Sequence, residues 1–118
     1  MRAGRGGITK EYVMLSIYDE MLDVIRGIRS VVDAIGRRDR DLEDQLRRAA
    51  SSVALNIAEG SGSFGKMRTA RYRTALGSAR ETLACLRVAE AFGYVDTMPA
   101  GVVRRMDRVI GTLVRVAQ

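Results

Sequence analysis

The 118-residue chain has no histidine and no tryptophan, one cysteine and one proline. Without histidine, the usual general base at neutral pH and the commonest metal ligand are both missing. Cys85 stands alone, so no intramolecular disulfide and no Cys–His nucleophilic pair can form. It reads as a small core residue, and a lone thiol fits a reducing, cytoplasmic setting. The single proline, Pro99, leaves long stretches free to be helical. Aromatic residues make up only 5% of a chain that is 47% hydrophobic, so Leu, Ile, Val, Met and Ala must build the core. No run approaches the roughly 20 apolar residues of a membrane span. The opening Met1-Arg2-Ala3-Gly4-Arg5-Gly6-Gly7 is basic, but no apolar segment follows it as in a secretory signal. Residues 1–8 are therefore expected to be a flexible basic arm, ahead of one domain over residues 9–118. A chain of this length buries roughly two-thirds of its unfolded surface.

Acidic residues are scarce in one half. Residues 1–59 carry ten Lys or Arg and ten Asp or Glu, which cancel; residues 60–118 carry ten cations and four acids, so the whole net charge of +6 lies there. Eighteen of the twenty cations are arginine, the side chain suited to bidentate contacts with phosphate or carboxylate.

Four helices account for the hydrophobic pattern. Met14, Met21, Ile28 and Ile35 recur every seven residues, with Ile17, Val24 and Val31 between them. This pattern predicts one helix from about Lys10 to Ile35, ended by Gly36. Asp39 is a good N-cap for a second helix whose first turn holds Asp41, Glu43 and Asp44. Leu42, Leu46, Ala49, Val53 and Ile57 form its core stripe, and Gly60 reads as its C-cap. Asn56 lies beside the stripe, where a buried amide would fix register between helices. A third helix is expected from about Lys66 to Phe92, capped by Gly93, with Tyr72, Ala75, Leu76, Ala79, Leu83 and Leu86 inward. The fourth is expected from near Asp96-Thr97 with Pro99 in its first turn, burying Val102, Met106, Val109, Leu113 and Val116. Short connections make an all-α, antiparallel up-down four-helix bundle the expected architecture. On the second helix, the uncharged run Ala49 to Ala58 leaves a further small-residue surface at Ala50, Ala54 and Ala58, with Leu55 projecting elsewhere. That extra face predicts self-association.

Two phosphate-binding patterns coincide at Gly60-Ser61-Gly62-Ser63-Phe64-Gly65-Lys66-Met67, and neither is complete. Gly60, Gly62 and Gly65 have the dinucleotide spacing, and Gly60 with Gly65-Lys66 has the P-loop spacing, but Met67 stands where Mg²⁺ needs a hydroxyl. Both motifs also need a preceding strand, and a helix precedes this loop. The segment reads as a flexible turn between helices, although a helix start beside Lys66, Arg68 and Arg71 suits a phosphate group. Glu59 has no second acid, metal partner or nucleophile beside it in the pattern, so it reads as a helix-end residue bonded to backbone or arginine. No catalytic residue, metal ligand or cofactor is expected. Lys66, Arg73, Arg80 and Arg87 recur every seven residues, and Arg104, Arg105, Arg108 and Arg115 line the fourth helix. These rows are either a solvated face or a candidate polyanion surface.

The elements Leu46-Arg47-Arg48-Ala49-Ala50, Asn56-Ile57-Ala58-Glu59-Gly60, Ala75-Leu76-Gly77-Ser78-Ala79 with Glu81, and Ala91-Phe92-Gly93-Tyr94 follow one another in the chain. In that order they resemble the four-helix-bundle family encoded in intervening sequences of bacterial 23S ribosomal RNA genes, over roughly residues 12–117. Asn56, Glu59, Gly60 and Gly77 carry the structural part of the motif. That family is similar to accessory proteins of diversity-generating retroelements, and the likeness implies a barrel-shaped homopentamer that binds RNA or DNA beside a reverse transcriptase. The expected function is that of a non-enzymatic, ring-like homo-oligomer with a nucleic-acid-binding basic surface. The alternative is a scaffold that binds an acidic protein partner and no nucleic acid.

Overall fold

A computed structural model describes residues 9–118, so the expected arm over residues 1–8 lies outside the described residues. Within them are five helices and no strand: α1 (Lys10–Gly27), α2 (Arg29–Gly36), α3 (Arg40–Ser61), α4 (Gly65–Ala91) and α5 (Val102–Val116). The first expected helix is thus two segments. The backbone at Ile28 flattens to φ −100°, ψ 6°, directly after Gly27, a residue that weakens a helix interior. Its hydrogen bonds bridge the break, because the Ile28 N–H donates to the Val24 carbonyl and the Val32 N–H to that of Ile28. The heptad stripe is therefore continuous, and Met14, Met21, Ile28 and Ile35 are all buried.

Asp39 caps α3 as expected, its Oδ1 accepting the Leu42 N–H at 3.0 Å. Its other oxygen accepts the Tyr94 hydroxyl at 3.3 Å, which ties the α4–α5 connection to the start of α3. The end of α3 departs from expectation. Gly60 is not a C-cap: it lies inside the helix, which continues to Ser61 with Gly62 as its cap. Gly60 is buried, and a Cβ added there would run into the Tyr72 ring, 2.7 Å from Cδ1. Tyr72 is among the largest fully buried side chains, only 2% exposed. The glycine is there for a close approach to an aromatic ring.

The start of α4 follows from the left-handed φ of +57° at Gly65. Its end has the paired bonds of a glycine-terminated helix. Gly93 has φ +76°, its N–H donates to the Glu90 carbonyl, and the Tyr94 N–H reaches back to that of Ala89. The last helix starts later than expected. Gly101 at φ +83° precedes it, and no right-handed helix passes through that conformation. Pro99 therefore lies ahead of α5, where its carbonyl accepts the Val102 N–H.

Packing partners are visible in polar contacts. Gln45 meets Glu81, Ser52 meets Ser78 and Glu59 meets Arg71, so α3 and α4 run antiparallel. Glu20 meets Arg105 and Arg108 and Gly27 lies against Val102, placing α5 antiparallel to α1. Arg73 on α4 donates to the Ala117 carbonyl after α5. Helix α1 also packs on α3. The stripe of α3 is buried as expected, and so are Val102, Met106, Val109 and Leu113, whereas Val116 is half-buried. On α4, Tyr72, Ala75, Ala79 and Leu86 are buried while Leu76 and Leu83 are only partly covered. Thr82, Cys85 and Ala89 complete that face.

Two outcomes follow. Gly60→Ala adds a methyl against a ring that cannot swing away, and overpacking of this kind costs about 1–3 kcal/mol. That exceeds the roughly 1 kcal/mol by which alanine favours a helix over glycine, so the variant should show a lower Tm in thermal denaturation. Cys85 is buried, and burial first, then the Glu81 carboxylate, raises its thiol pKa above the ordinary value. Native protein at pH 8 should react with iodoacetamide far more slowly than unfolded protein, as read by mass spectrometry.

Candidate nucleic-acid interface

The α3–α4 turn does not form a phosphate cradle. Ser63 donates to the Glu59 carbonyl at 2.8 Å and Ser61 to that of Ile57 at 2.9 Å. The Arg68 Nε donates to the carbonyls of Gly60 and Ser63, while its guanidinium covers the Phe64 ring. Arg68 is thus occupied by the end of α3, where unpaired carbonyls attract a cation. Instead of a flexible loop, the turn is a short, bonded connection. Glu59 pairs with Arg71 at 2.9 Å, the helix-to-helix arginine contact expected of it. Among the described residues, no group of three or more His, Cys, Asp or Glu is placed to hold a metal ion.

Asn56 acts within its own helix, which corrects the expected register role. Its amide donates to the Ser52 carbonyl and to Ser52 Oγ, and Ser52 Oγ in turn meets Ser78 Oγ across the α3–α4 contact at 2.7 Å. The two serines, small enough to let the helices approach, form one of the contacts between α3 and α4. Gly77 is exposed, and a Cβ added there meets nothing within 4 Å. Nothing within the single chain explains a glycine in that position.

The eight candidate cations divide into groups. Lys66, Arg73, Arg80 and Arg87 are exposed along α4. Arg73 is engaged with the Ala117 carbonyl at 3.0 Å, where it counters the negative end of α5. Arg105 and Arg108 share Glu20 of α1, with Arg108 bidentate at 2.8 and 3.2 Å. That bond, ahead of the coulombic attraction, raises the Arg108 pKa. Arg115 touches the Thr112 hydroxyl. Lys66, Arg80, Arg87, Arg104 and Arg115 have no carboxylate partner among the described residues.

The two rows are not one surface. Arg73 marks the side of α4 that faces α5, and Arg80 and Arg87 follow it at seven-residue spacing on the same flank. On α5, Arg105 and Arg108 face α1, and Arg104 and Arg115 lie on that side by helical spacing. The half-buried residues Val103, Ile110 and Val114 and the exposed Asp107 lie elsewhere on α5. A third basic group draws two of its three arginines from the neutral half of the chain. Arg47, Arg48 and Arg71 surround a hollow of about 410 Å³ with Ser51, Ser52, Asn56 and Glu59 at its sides. Periodicity within single helices could not reveal it, since Arg71 joins the other two only through the α3–α4 packing.

No helix among the described residues is long and apolar enough to cross a membrane. No curated protein and no solved structure matches the chain. The family profile described as 23S rRNA-intervening sequence protein does match, over residues 14–111, a span that holds every element of the motif and both arginine rows except Arg115. The chain belongs to the 23S rRNA-intervening sequence protein family.

Proposed function

We propose that this protein is a non-enzymatic, self-associating four-helix bundle that binds nucleic acid through phosphate contacts without reading its sequence. The antiparallel pairs α3–α4, α4–α5 and α1–α5, together with the α1–α3 contact, support a closed four-helix arrangement in which α1 and α2 act as one rod. The observation that carries the functional reading is the unneutralised charge on α4 and α5. Helix α4 holds six cations against two acids and α5 four against one, giving +4 and +3. Intramolecular pairs take up only Arg71, Arg105 and Arg108 from these helices. Lys66, Arg80 and Arg87 on α4 and Arg104 and Arg115 on α5 are the cations free to meet a polyanion. Every copy in an assembly multiplies that charge. The likeness to accessory proteins of diversity-generating retroelements supports a pentamer, and a reverse transcriptase as the neighbouring protein.

Self-association rests on less of α3 than the amino-acid pattern implied. Ala50 and Ala54 are buried in the chain's own core, so they are not a second face. Ala58 is exposed and Leu55 is 62% exposed, and these two remain as the uncovered part.

Phosphate contacts release counterions, so affinity should fall with salt at a log–log slope of roughly 0.7–0.9 per phosphate engaged. Titration of a mixed-sequence DNA duplex and a structured RNA at two salt concentrations tests this. Arg80→Glu with Arg87→Glu should reduce affinity at least tenfold and lower the slope. Arg105→Glu should do less, because Glu20 already neutralises that site. Unchanged binding in the Arg80/Arg87 variant, or none at low salt, would favour the scaffold that takes an acidic protein partner.

A further inference from the structure

At one end of the bundle an aromatic ring lies open to solvent beside a run of arginines. Helix α4 stops at Gly93, and in such a helix end the side chain that packs back is that of the residue after the glycine. Here that residue is Tyr94, half-buried, with its hydroxyl held by Asp39 at 3.3 Å. Phe92 has no such duty and is 66% exposed. Its ring stacks on Tyr94 with centroids 5.3 Å apart and planes 13° from parallel, which covers one face and leaves the other bare. The Arg38 guanidinium also lies over the Tyr94 ring, 5.7 Å from its centroid. Tyr94 forms one wall of a hollow of about 390 Å³ whose polar walls include Ser30, Arg37, Arg38, Asp96 and Thr97. Arg37 and Arg38 in the α2–α3 turn and Arg40 at the start of α3 are all exposed. None of the three has a carboxylate partner among the described residues. Asp39, the acid between them, is committed to the Leu42 N–H and the Tyr94 hydroxyl.

We propose that this end of the bundle takes an unpaired nucleotide of a single-stranded nucleic acid, an assignment that rests on the nucleic-acid reading. The base stacks on the bare face of Phe92, and the flanking phosphates meet Arg37, Arg38 and Arg40. The chemistry of the patch selects the ligand. An acidic peptide would satisfy the arginines and leave the ring in water, and an apolar partner would do the reverse. A nucleotide uses both, since every base has a π face for stacking and guanidinium groups suit phosphate. Asp96 carries the opposite charge, and as an acceptor only it suits a base amine or a sugar hydroxyl. In a duplex the bases stack on one another and none is offered to Phe92. The site therefore discriminates strand from duplex, which the arginine rows of α4 and α5 do not. A lone nucleotide covers one face of one ring, far from the enclosure that holds a small ligand tightly. A strand brings its neighbouring phosphates past the arginines as well. Arg87, the last cation of the α4 row, lies five residues before Phe92, so the ring adjoins the phosphate-contacting surface.

The chain has no tryptophan, so Phe92→Trp places a single fluorescent indole at the site. The probes are a mixed-sequence oligoribonucleotide of about 12 residues, the same strand annealed to its complement, and adenosine monophosphate, all at low salt. The strand should quench the indole, and neither the duplex nor the mononucleotide should do so at the same concentration. In anisotropy titrations of labelled RNA, Phe92→Ala should weaken strand binding about tenfold and leave duplex binding at the wild-type level. Phe92→Leu keeps apolar bulk without a flat face and should behave as Phe92→Ala does. These variants change an exposed side chain, so helical circular dichroism should be retained. A wild type that binds neither strand nor duplex removes the nucleic-acid reading and this site together. Strand binding that survives Arg80→Glu with Arg87→Glu but not Phe92→Ala keeps the site and discards the arginine rows. The site alone is overturned if Phe92→Ala or Phe92→Leu keeps wild-type affinity for the strand, or if Phe92→Ala weakens strand and duplex equally. Quenching by the mononucleotide equal to that by the strand also overturns it, in favour of a free nucleotide.

Discussion

The contact of Tyr72 with Gly60 sets the distance between α3 and α4, and the rest of the structure is arranged around that distance. A buried aromatic ring takes the volume a Cβ would need, so the helices meet where one of them has no side chain. Farther along the same pair, Ser52 and Ser78 touch through their hydroxyls at 2.7 Å, and Ala49, Ala75 and Ala79 are buried. Small residues along the whole contact let two long helices lie close together with most of the core built from aliphatic side chains. Interiors pack at crystal-like density, which is why a single methyl at this point is felt.

Polar groups near that contact mostly serve the helix ends and the helix–helix register. Arg68 and the serines of the α3–α4 turn bond the last carbonyls of α3. Arg73 bonds the Ala117 carbonyl beyond α5. Asp39 holds both the first turn of α3 and the Tyr94 hydroxyl. Five of these bonds use residues that look like phosphate ligands or loop residues in a linear pattern. A helix end offers unpaired carbonyls and a partial negative charge, and a nearby arginine satisfies both before any ligand does.

The remaining cations divide by whether α1 or α3 can reach them. Arg105, Arg108 and Arg71 meet Glu20 and Glu59, and these exposed pairs contribute little to stability. Their importance is electrostatic, since two carboxylates offset two charges of the basic half, while Arg68 and Arg73 bond carbonyls and the other cations face solvent. The same division leaves α1 and α3 acidic and α4 and α5 basic, a polarity across the molecule that bears on both polyanion binding and assembly.

The helical class and the inward face of most helices follow from the order of residues alone. A seven-residue recurrence from Met14 to Ile35 cannot come from a strand, and Asp39 before Leu42 and Leu46 marks a helix start. The family was equally legible, because its motif elements are contiguous. What the linear pattern could not settle depended on neighbours distant in sequence. Gly60 looks like a helix stop until the Tyr72 ring is seen against it, and Pro99 looks like a first-turn residue until Gly101 adopts a left-handed φ behind it. Ala50 and Ala54 look like a spare face until α1 and α2 cover them. Seven of the eight candidate cations are exposed and Arg105 is half-buried, and which of them stay unpaired depends on where Glu20, Glu59 and Ala117 come to lie. Local backbone preference is written residue by residue, whereas steric fit and charge pairing are properties of surfaces that only the packed helices bring together.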